Sequence, residues 1–402
     1  MISIRRRSVL LAGSALVLPT ARAQTPPSPD WQRIESAARG QTVYFNAWGG
    51  SERSNAYLQW AAGELASRHG VKLEHVKLSD TAEAVKRVRA EKAAGRAIEG
   101  SADLLWINGE HFLAMKREGL LFGPWSEKLP NFALVDTVGK PTTRIDFSEP
   151  VEGFEAPWGM AQLTFYADSA RVAQPPTSAA ELLAWAKQNP GRFTYPRPPA
   201  FHGTTFLKQL LLEFSADRKP LYQPHQADAF ARVTAPLWAA LDLLHPHLWK
   251  QGRQFPASAT VMRQMLADGE LAISLTFNPT EAANQIAAKA LPASVVSYQH
   301  TAGTIGNTHF LAIPFNARGK EAAQVTANFL LSPAAQARKA DIQQWGDPTV
   351  LSLDKLSTEQ RALFAATQVP GLVTRPAPAL PEPHGSWVAP IEREWVRRYA
   401  QG

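Results

Sequence analysis

Four short segments of this chain combine residue types that hold a small molecule. In Trp48-Gly49-Gly50-Ser51, two glycines permit close backbone approach and an indole can stack on a flat ligand. A helix opening at Ser51 would leave free N–H groups for an anion or a hydroxyl. The same four residues also read as an ordinary strand-to-helix turn with a core tryptophan. In Asn108-Gly109-Glu110, Glu110 suits a cation or a hydroxyl, or simply the N-terminal turn of a helix capped by Asn108. The third segment runs from Tyr195 through Pro196, Arg197, Pro198 and Pro199 to His202, Gly203, Thr204 and Thr205. Arg197 offers a planar donor fork. Thr204 and Thr205 place hydroxyls beside a helix start, so the set can hold a carboxylate, a phosphate or a polar head. Against this stands a surface loop with a capping threonine. The fourth, Thr276-Phe277-Asn278-Pro279-Thr280, is either a ligand loop or a turn governed by Asn-Pro chemistry.

Catalytic constellations are thin by comparison. Residues 24–402 contain no Gly-x-Ser-x-Gly elbow, and the chain has no His-Glu-x-x-His and no phosphate-binding P-loop. Gly303-Thr304-Ile305-Gly306 lacks the strand, turn and helix that a dinucleotide fingerprint requires. His245-Pro246-His247 could touch a metal, though two histidines across a proline more often form a surface turn. With no cysteine, thiolate nucleophiles, iron–sulfur clusters and thiolate zinc sites are excluded. No cofactor is expected. A carboxylate pair of the glycosidase kind stays open, because such pairs assemble in space rather than along the chain. The 12 tryptophans fit that option as well as a core or cleft wall.

These segments recur at strand ends, where ligands sit in open α/β sheets. Val43–Trp48 is β-branched and aromatic, and Val71–Val76 alternates apolar with polar residues. Ala102–Ile107 reads as a third strand. Between them, Tyr57, Leu58, Ala61 and Leu65, then Val85 and Val88 behind Asp80 and Glu83, have helical spacing. Strand, helix, strand, helix, strand predicts a parallel sheet covered by helices. A second unit of the same class follows, with strands at Leu163–Tyr166, Arg192–Tyr195, Leu271–Phe277 and Phe310–Ile313. Its helices open at Ser178 and at Thr204-Thr205, and another follows Lys320. The junction of two such units is a natural cleft.

The N-terminal residues carry a separate signal. Arg5, Arg6 and Arg7 precede an apolar run from Val9 to Leu18 and then Ala21-Arg22-Ala23. That order is the grammar of a cleavable secretory leader, residues 1–23, and the arginines also fit twin-arginine export. The run is shorter than the about 20 residues a membrane span needs. A leader with four arginines and no acid would lower the formal charge from +7 to +3, and the remaining basic residues are scattered among acids. A nucleic-acid partner is therefore not expected.

Taken together, Phe45-Asn46-Ala47-Trp48-Gly49-Gly50-Ser51, Asp103-Leu104-Leu105-Trp106-Ile107-Asn108-Gly109-Glu110 and Phe154-Glu155-Ala156-Pro157-Trp158-Gly159 form a pattern. Tyr195-Pro196-Arg197-Pro198-Pro199, Gly203-Thr204-Thr205 and Ser386-Trp387-Val388 extend it over nearly the whole chain after the leader. The chain resembles solute-binding proteins of ABC importers, in the branch of the YnjB type near the thiamine-binding receptors. The resemblance implies a two-lobed α/β fold of the type II periplasmic-binding-protein class, each lobe a helix-flanked, mostly parallel sheet, joined by crossing strands. Lobe one would hold 30–157 plus 304–340, and lobe two 158–303 plus 341–402. It also implies a periplasmic monomer that closes on a small polar or thiamine-like solute and delivers it to a membrane permease and its ATPase. Aromatic residues sandwich the ligand in thiamine receptors, and Trp48 and Trp158 would take that part, with Glu110 facing a cation. An exported hydrolase on a two-lobed scaffold is the competing expectation.

Overall fold

The structure is a computed structural model and describes residues 28–364, 370–373, 375 and 377–400. The expected leader, residues 1–23, lies outside the described residues. The first unit runs α1 (Pro29–Ala38), β1 (Thr42–Trp48), α2 (Glu52–His69), β2 (Lys72–Leu78), α3 (Ala82–Ala93), β3 (Leu104–Ile107) and α4 (Glu110–Arg117). A two-stranded hairpin follows, β4 (Ile145–Asp146) and β5 (Glu149–Pro150). Then β6 (Glu155–Gln162) leads directly into β7 (Thr164–Asp168). The middle of the chain supplies α5 (Ala179–Gln188), α6 (Phe201–Phe214), α7 (Phe230–Leu244), α8 (Ala259–Ala267), β8 (Ile273–Thr276), α9 (Glu281–Ala287) and β9 (Val295–Tyr298). The return consists of β10 (Thr304–Ala312), α10 (Lys320–Leu330), α11 (Pro333–Ala340), α12 (Thr358–Ala362), β11 (Ala379–Leu380) and α13 (Val388–Tyr399).

The local chemistry explains the first unit. Ser51 caps α2 by accepting the Ser54 N–H, and Gly70 ends that helix with φ +66°, a conformation that suits a residue without Cβ. β1 pairs in parallel with β2 and β3, as the alternation of strand and helix predicts. β10 then joins β3 and β6 antiparallel and β11 in parallel, so the first sheet is mixed. One face buries Val43, Phe45, Trp158 and Leu311, and the other buries Leu105, Ile107, Phe310 and Ala312.

The second sheet differs from the parallel one expected. β7 lies between β8 and β9 and is antiparallel to both. β7 carries the chain out of the first sheet and β9 feeds β10, which carries it back, so the two must run in opposite senses. Arg192–Tyr195 is not a strand. Pro196 follows it with no N–H to give a ladder. Leu182, Phe193, Leu207, Leu237, Ile273 and Trp395 share the core of this second lobe. Trp345, Val350, Leu351 and Leu356 pack instead with Phe45 and Trp158 in the first core, although the sequence expectation put 341–402 in lobe two. Between the sheets the two crossing strands stay bonded, Leu163 N–H donating to Ile305 O at 2.8 Å.

Candidate functional site

The second and third loops meet across the junction of the lobes. Gly109 begins α4 at φ +62°, and the Phe147 ring occupies the space that a Cβ there would need. The Gly109 N–H donates to Asp146 Oδ2 at 2.6 Å. Asp146, from the hairpin, thus takes the helix N-terminus that the sequence offered to a ligand. Glu110 follows and is half-buried. His111 Nε2 lies 3.4 Å from Asp80 Oδ1 and 3.7 Å from Glu110 Oε1. Burial alone would lower its imidazole, but those two carboxylates outweigh it and hold it above the ordinary range.

On lobe two, Thr204 is buried near the start of α6 and its hydroxyl donates to Glu392 Oε1 at 2.6 Å. Gly203 is required there, because a Cβ would overlap the Pro196 carbonyl oxygen. Glu392 comes from α13. Burial, with Glu110 across the junction adding to it, pushes its carboxyl up to about 7. Loops two and three are therefore brought together, through a glutamate that the sequence reading did not select.

A buried ion pair stands beside them. Lys208 Nζ lies 2.6 Å from Glu382 Oε2 and 4.2 Å from the centre of the Phe147 ring. Asn307 of β10 donates to Glu382 Oε1 at 3.2 Å. Burial raises the Glu382 carboxyl, although Lys208 and Asn307 pull it down. Asp146 Oδ1 and both carboxyl oxygens of Glu155 have no partner among the described residues, and burial raises both groups well above the carboxylate range. Farther along β10, Lys339 Nζ contacts the Asp347 carboxylate and lies 3.1 Å from Pro348 O. His309 Nε2 is 3.0 Å from Asp347 Oδ1. Gly159 leaves the room, since a Cβ there would sit 2.8 Å from the His309 ring and 2.9 Å from Lys339 Nζ.

The other expected residues fall into place less simply. Arg197 is exposed and lines a cavity of about 370 Å³ with Arg253, Phe255, Trp395 and Tyr399. Among the described residues its guanidinium makes no hydrogen bond to the α6 start. The reading of Arg197 with Thr204 and Thr205 as one anion grip is corrected accordingly: the proline loop turns the arginine outward. Thr205 is fully buried, and its hydroxyl has no partner among the described residues. His202 is half-buried, and burial lowers its imidazole to about 4. Trp158 is fully buried against Phe45, Tyr57, Trp106 and Trp345, with ring centres 5.0 to 6.5 Å away. It is a core residue here and presents no face for a ligand to stack on. Trp48 keeps 39% exposure, with its indole over Gly50. Gly49 N–H donates to Leu78 O at 2.9 Å, and Ser51 is the α2 cap. In the fourth loop Thr276 Oγ1 accepts the Asn278 N–H at 3.1 Å, and Asn278 Oδ1 accepts from Thr280 N–H and hydroxyl. That turn satisfies itself, and its contact with lobe one is made by Thr280, which donates to Gly346 O at 3.1 Å. Asn108 is half-buried between β3 and Gly109. His245 is also structural, with Nε2 2.7 Å from the Tyr195 hydroxyl.

Sequence reasoning missed Asp146, Glu382 and Glu392. The stiff Pro381-Glu382-Pro383-His384 run, with one acid between prolines, was the available signal for the second of these.

Comparison with known proteins places this geometry. The sequence pattern of the family described as bacterial extracellular solute-binding protein matches residues 60–358. The chain is similar to protein YnjB of Escherichia coli (strain K12), 50% identical over 370 residues, covering 92% of this chain and 94% of that one. Its fold is similar to the periplasmic binding protein AfuA from Actinobacillus pleuropneumoniae, solved with fructose-6-phosphate bound. That match has a TM-score of 0.61 at 15% identity, over 90% of this chain and 99% of that one. It is also similar to the spermidine/putrescine substrate-binding protein PotD from Streptococcus pneumoniae, with a TM-score of 0.58 at 15% identity, over 80% and 87% of the two chains. The architecture is the two-lobed α/β fold of type II periplasmic binding proteins.

Proposed function

This chain belongs to the bacterial extracellular solute-binding proteins, a binding rather than a catalytic family, and on that premise we propose that it is the periplasmic receptor of an ABC importer. It captures one small polar solute between its lobes, closes on it by bending the crossing strands, and presents it to a membrane permease driven by an ATPase. The observation that carries this reading is where the α4 N-terminal turn meets the other lobe: a Cβ on Gly385 would sit 3.3 Å from the Glu110 backbone, and the neighbouring His384 N–H donates to Leu221 O of lobe two. Closure of this kind needs no covalent chemistry, only a ligand with higher affinity for the closed state. A monomer suffices, since both walls of the junction come from one chain. The relatives named above are described with a sugar phosphate and with polyamines, and a thiamine-like solute belongs in the same trial set.

The test is a thermal-shift screen of the purified mature protein against vitamins, amines, sugars and anions. A ligand at 100 times its Kd should add about 2.7 kcal/mol to the stability of the folded state. A screen of that breadth in which no compound moves the melting temperature would sink the receptor reading.

A further inference from the structure

The proline loop turns Arg197 away from the junction and onto a second arginine. Arg197 and Arg253 share a cavity of about 370 Å³ with Gln254, Phe255, Trp395 and Tyr399. Among the described residues, no aspartate or glutamate lines it. The Arg197 guanidinium has no hydrogen-bond or ion-pair partner among the described residues. That of Arg253 donates to the neutral Gln251 Oε1 at 2.7 Å and meets no carboxylate. Arg89, Arg144 and Arg263, by contrast, each pair with a glutamate. The acids on the surrounding elements are committed elsewhere. Asp242 takes the Tyr399 hydroxyl, Glu270 takes the Trp249 indole N–H, and Glu394 is shared by Arg397 and Arg398. A concave surface carrying one sign of charge focuses its field and gathers counter-ions.

The backbone that presents the two arginines is a second, independent observation. Lys250 and Gln251 hold φ of +51° and +57°, and Gly252 follows at +66°. Two residues with side chains in the left-handed region cost free energy, and such strain persists only where the surroundings impose it. The glycine is required, because a Cβ on it would lie 2.9 Å from His245 O. This left-handed turn brings the following residues against α13, where the Phe255 ring is 5.0 Å from that of Trp395. Pro256 O then accepts the Arg197 N–H at 2.8 Å, which ties the two arginine-bearing loops together. Arg197 itself sits between Pro196 and Pro198, whose fixed φ stiffens the loop. Both guanidiniums are thus carried by backbone that is held before any ligand arrives.

We propose that this cavity on the second lobe is a binding site, separate from the interlobe junction, for a small anion with two or more negative charges. The class is a phosphate ester or a di- or tricarboxylate. A guanidinium presents paired N–H donors that match the oxygens of a carboxylate or a phosphate, and two of them on one cavity favour two charges over one. Water in the liquid takes about 30 Å³ per molecule, so the cavity holds an anion of roughly ten heavy atoms. A concavity of this size suits a small molecule. Every residue named in it belongs to the second lobe, so the proposal stands apart from the receptor reading.

The experiment measures Kd by calorimetry for citrate, succinate and inorganic phosphate, with acetate and choline as controls, at low and at high salt. At least one polyvalent anion should bind about tenfold or more tightly than acetate, and more weakly as salt rises. Arg197→Ala and Arg253→Ala should each weaken it about tenfold or more, with circular dichroism unchanged because both side chains are exposed. Arg253→Lys keeps the charge without the fork and should fall between the parent and Arg253→Ala. Absence of binding by every polyvalent anion overturns the proposal, as does equal affinity in both alanine variants. Any solute that the thermal-shift screen places at the junction separates the two sites. Saturation with that solute should leave the anion's Kd unchanged. Competition between them overturns the second site and leaves the receptor reading standing. A screen whose only shift is an anion's, and whose shift disappears in Arg197→Ala, sinks the receptor reading and supports the second site.

Discussion

Two buried lysines stand at different points along the crossing strands, and they are neutralised differently. Lys339 shares Asp347 with His309, so one carboxylate faces two bases. Burial would raise Asp347, but Lys339 and His309 outweigh it and hold the group below the usual range. Lys208 pairs with Glu382 alone, and burial holds the Glu382 carboxyl above the usual range although Lys208 and Asn307 pull it down. The first is a balanced brace between α11 and its following loop. The second is a single pair in which burial outweighs what the lysine and Asn307 give to the carboxyl. A buried ion pair is weak evidence of stabilisation in itself, because desolvation offsets most of the attraction. What distinguishes the two is what remains after one partner is removed.

Lys339→Met should give the largest effect. It leaves Asp347 buried and dependent on His309 alone, and a loss of about 3–5 kcal/mol is expected in the unfolding free energy extrapolated from urea titration. Lys208→Met should cost less, about 1–3 kcal/mol, because Glu382 can take up a proton and keep its bond from Asn307. Equal losses at the two lysines would break the comparison.

Glu155 sharpens it through pH. Its folded carboxyl lies well above the unfolded value near 4.5, so the folded state holds the proton more tightly. The stability this contributes is full below pH 4.5 and is lost as pH rises toward the folded value, at up to about 1.4 kcal/mol per pH unit. Glu155→Gln keeps the shape of the neutral acid and removes the titration. Its melting temperature relative to the parent should climb steadily above pH 4.5, and a flat difference would show that burial does not shift the Glu155 carboxyl away from its unfolded value. The smallest effect belongs to Arg197→Ala. Its exposed side chain is outside the junction, so stability should stay within about 0.5 kcal/mol and solute affinity should not change.

The strands of the first lobe were legible because their pattern is local. Val43–Trp48 announces itself by its side chains, and Gly49-Gly50 and Ser51 mark the turn and cap that follow. Arg192–Tyr195 has the same side-chain character and is no strand, because Pro196 and the packing around it decide the matter. Trp158 shows the limit for single residues: its type fits a stacking wall as well as a core, and only the surrounding Phe45, Tyr57 and Trp345 settle which. The acids of the junction were harder still. Glu382 meets a lysine 174 positions earlier, and Glu392 a threonine 188 positions earlier, distances over which spacing carries no signal.

The segment that brings in Glu382 also has a mechanical side. The His384 N–H donates to Leu221 O of the second lobe at 2.8 Å, and the next amide, that of Gly385, donates to Phe147 O on the hairpin of the first at 3.1 Å. Adjacent peptide groups are thus stitched to different bodies. The lobes cannot separate at this edge without breaking one of the two stitches, each worth about 1 kcal/mol. The amide proton of Gly385 is therefore a built-in tell-tale, whose exchange with solvent counts the openings of the molecule one by one.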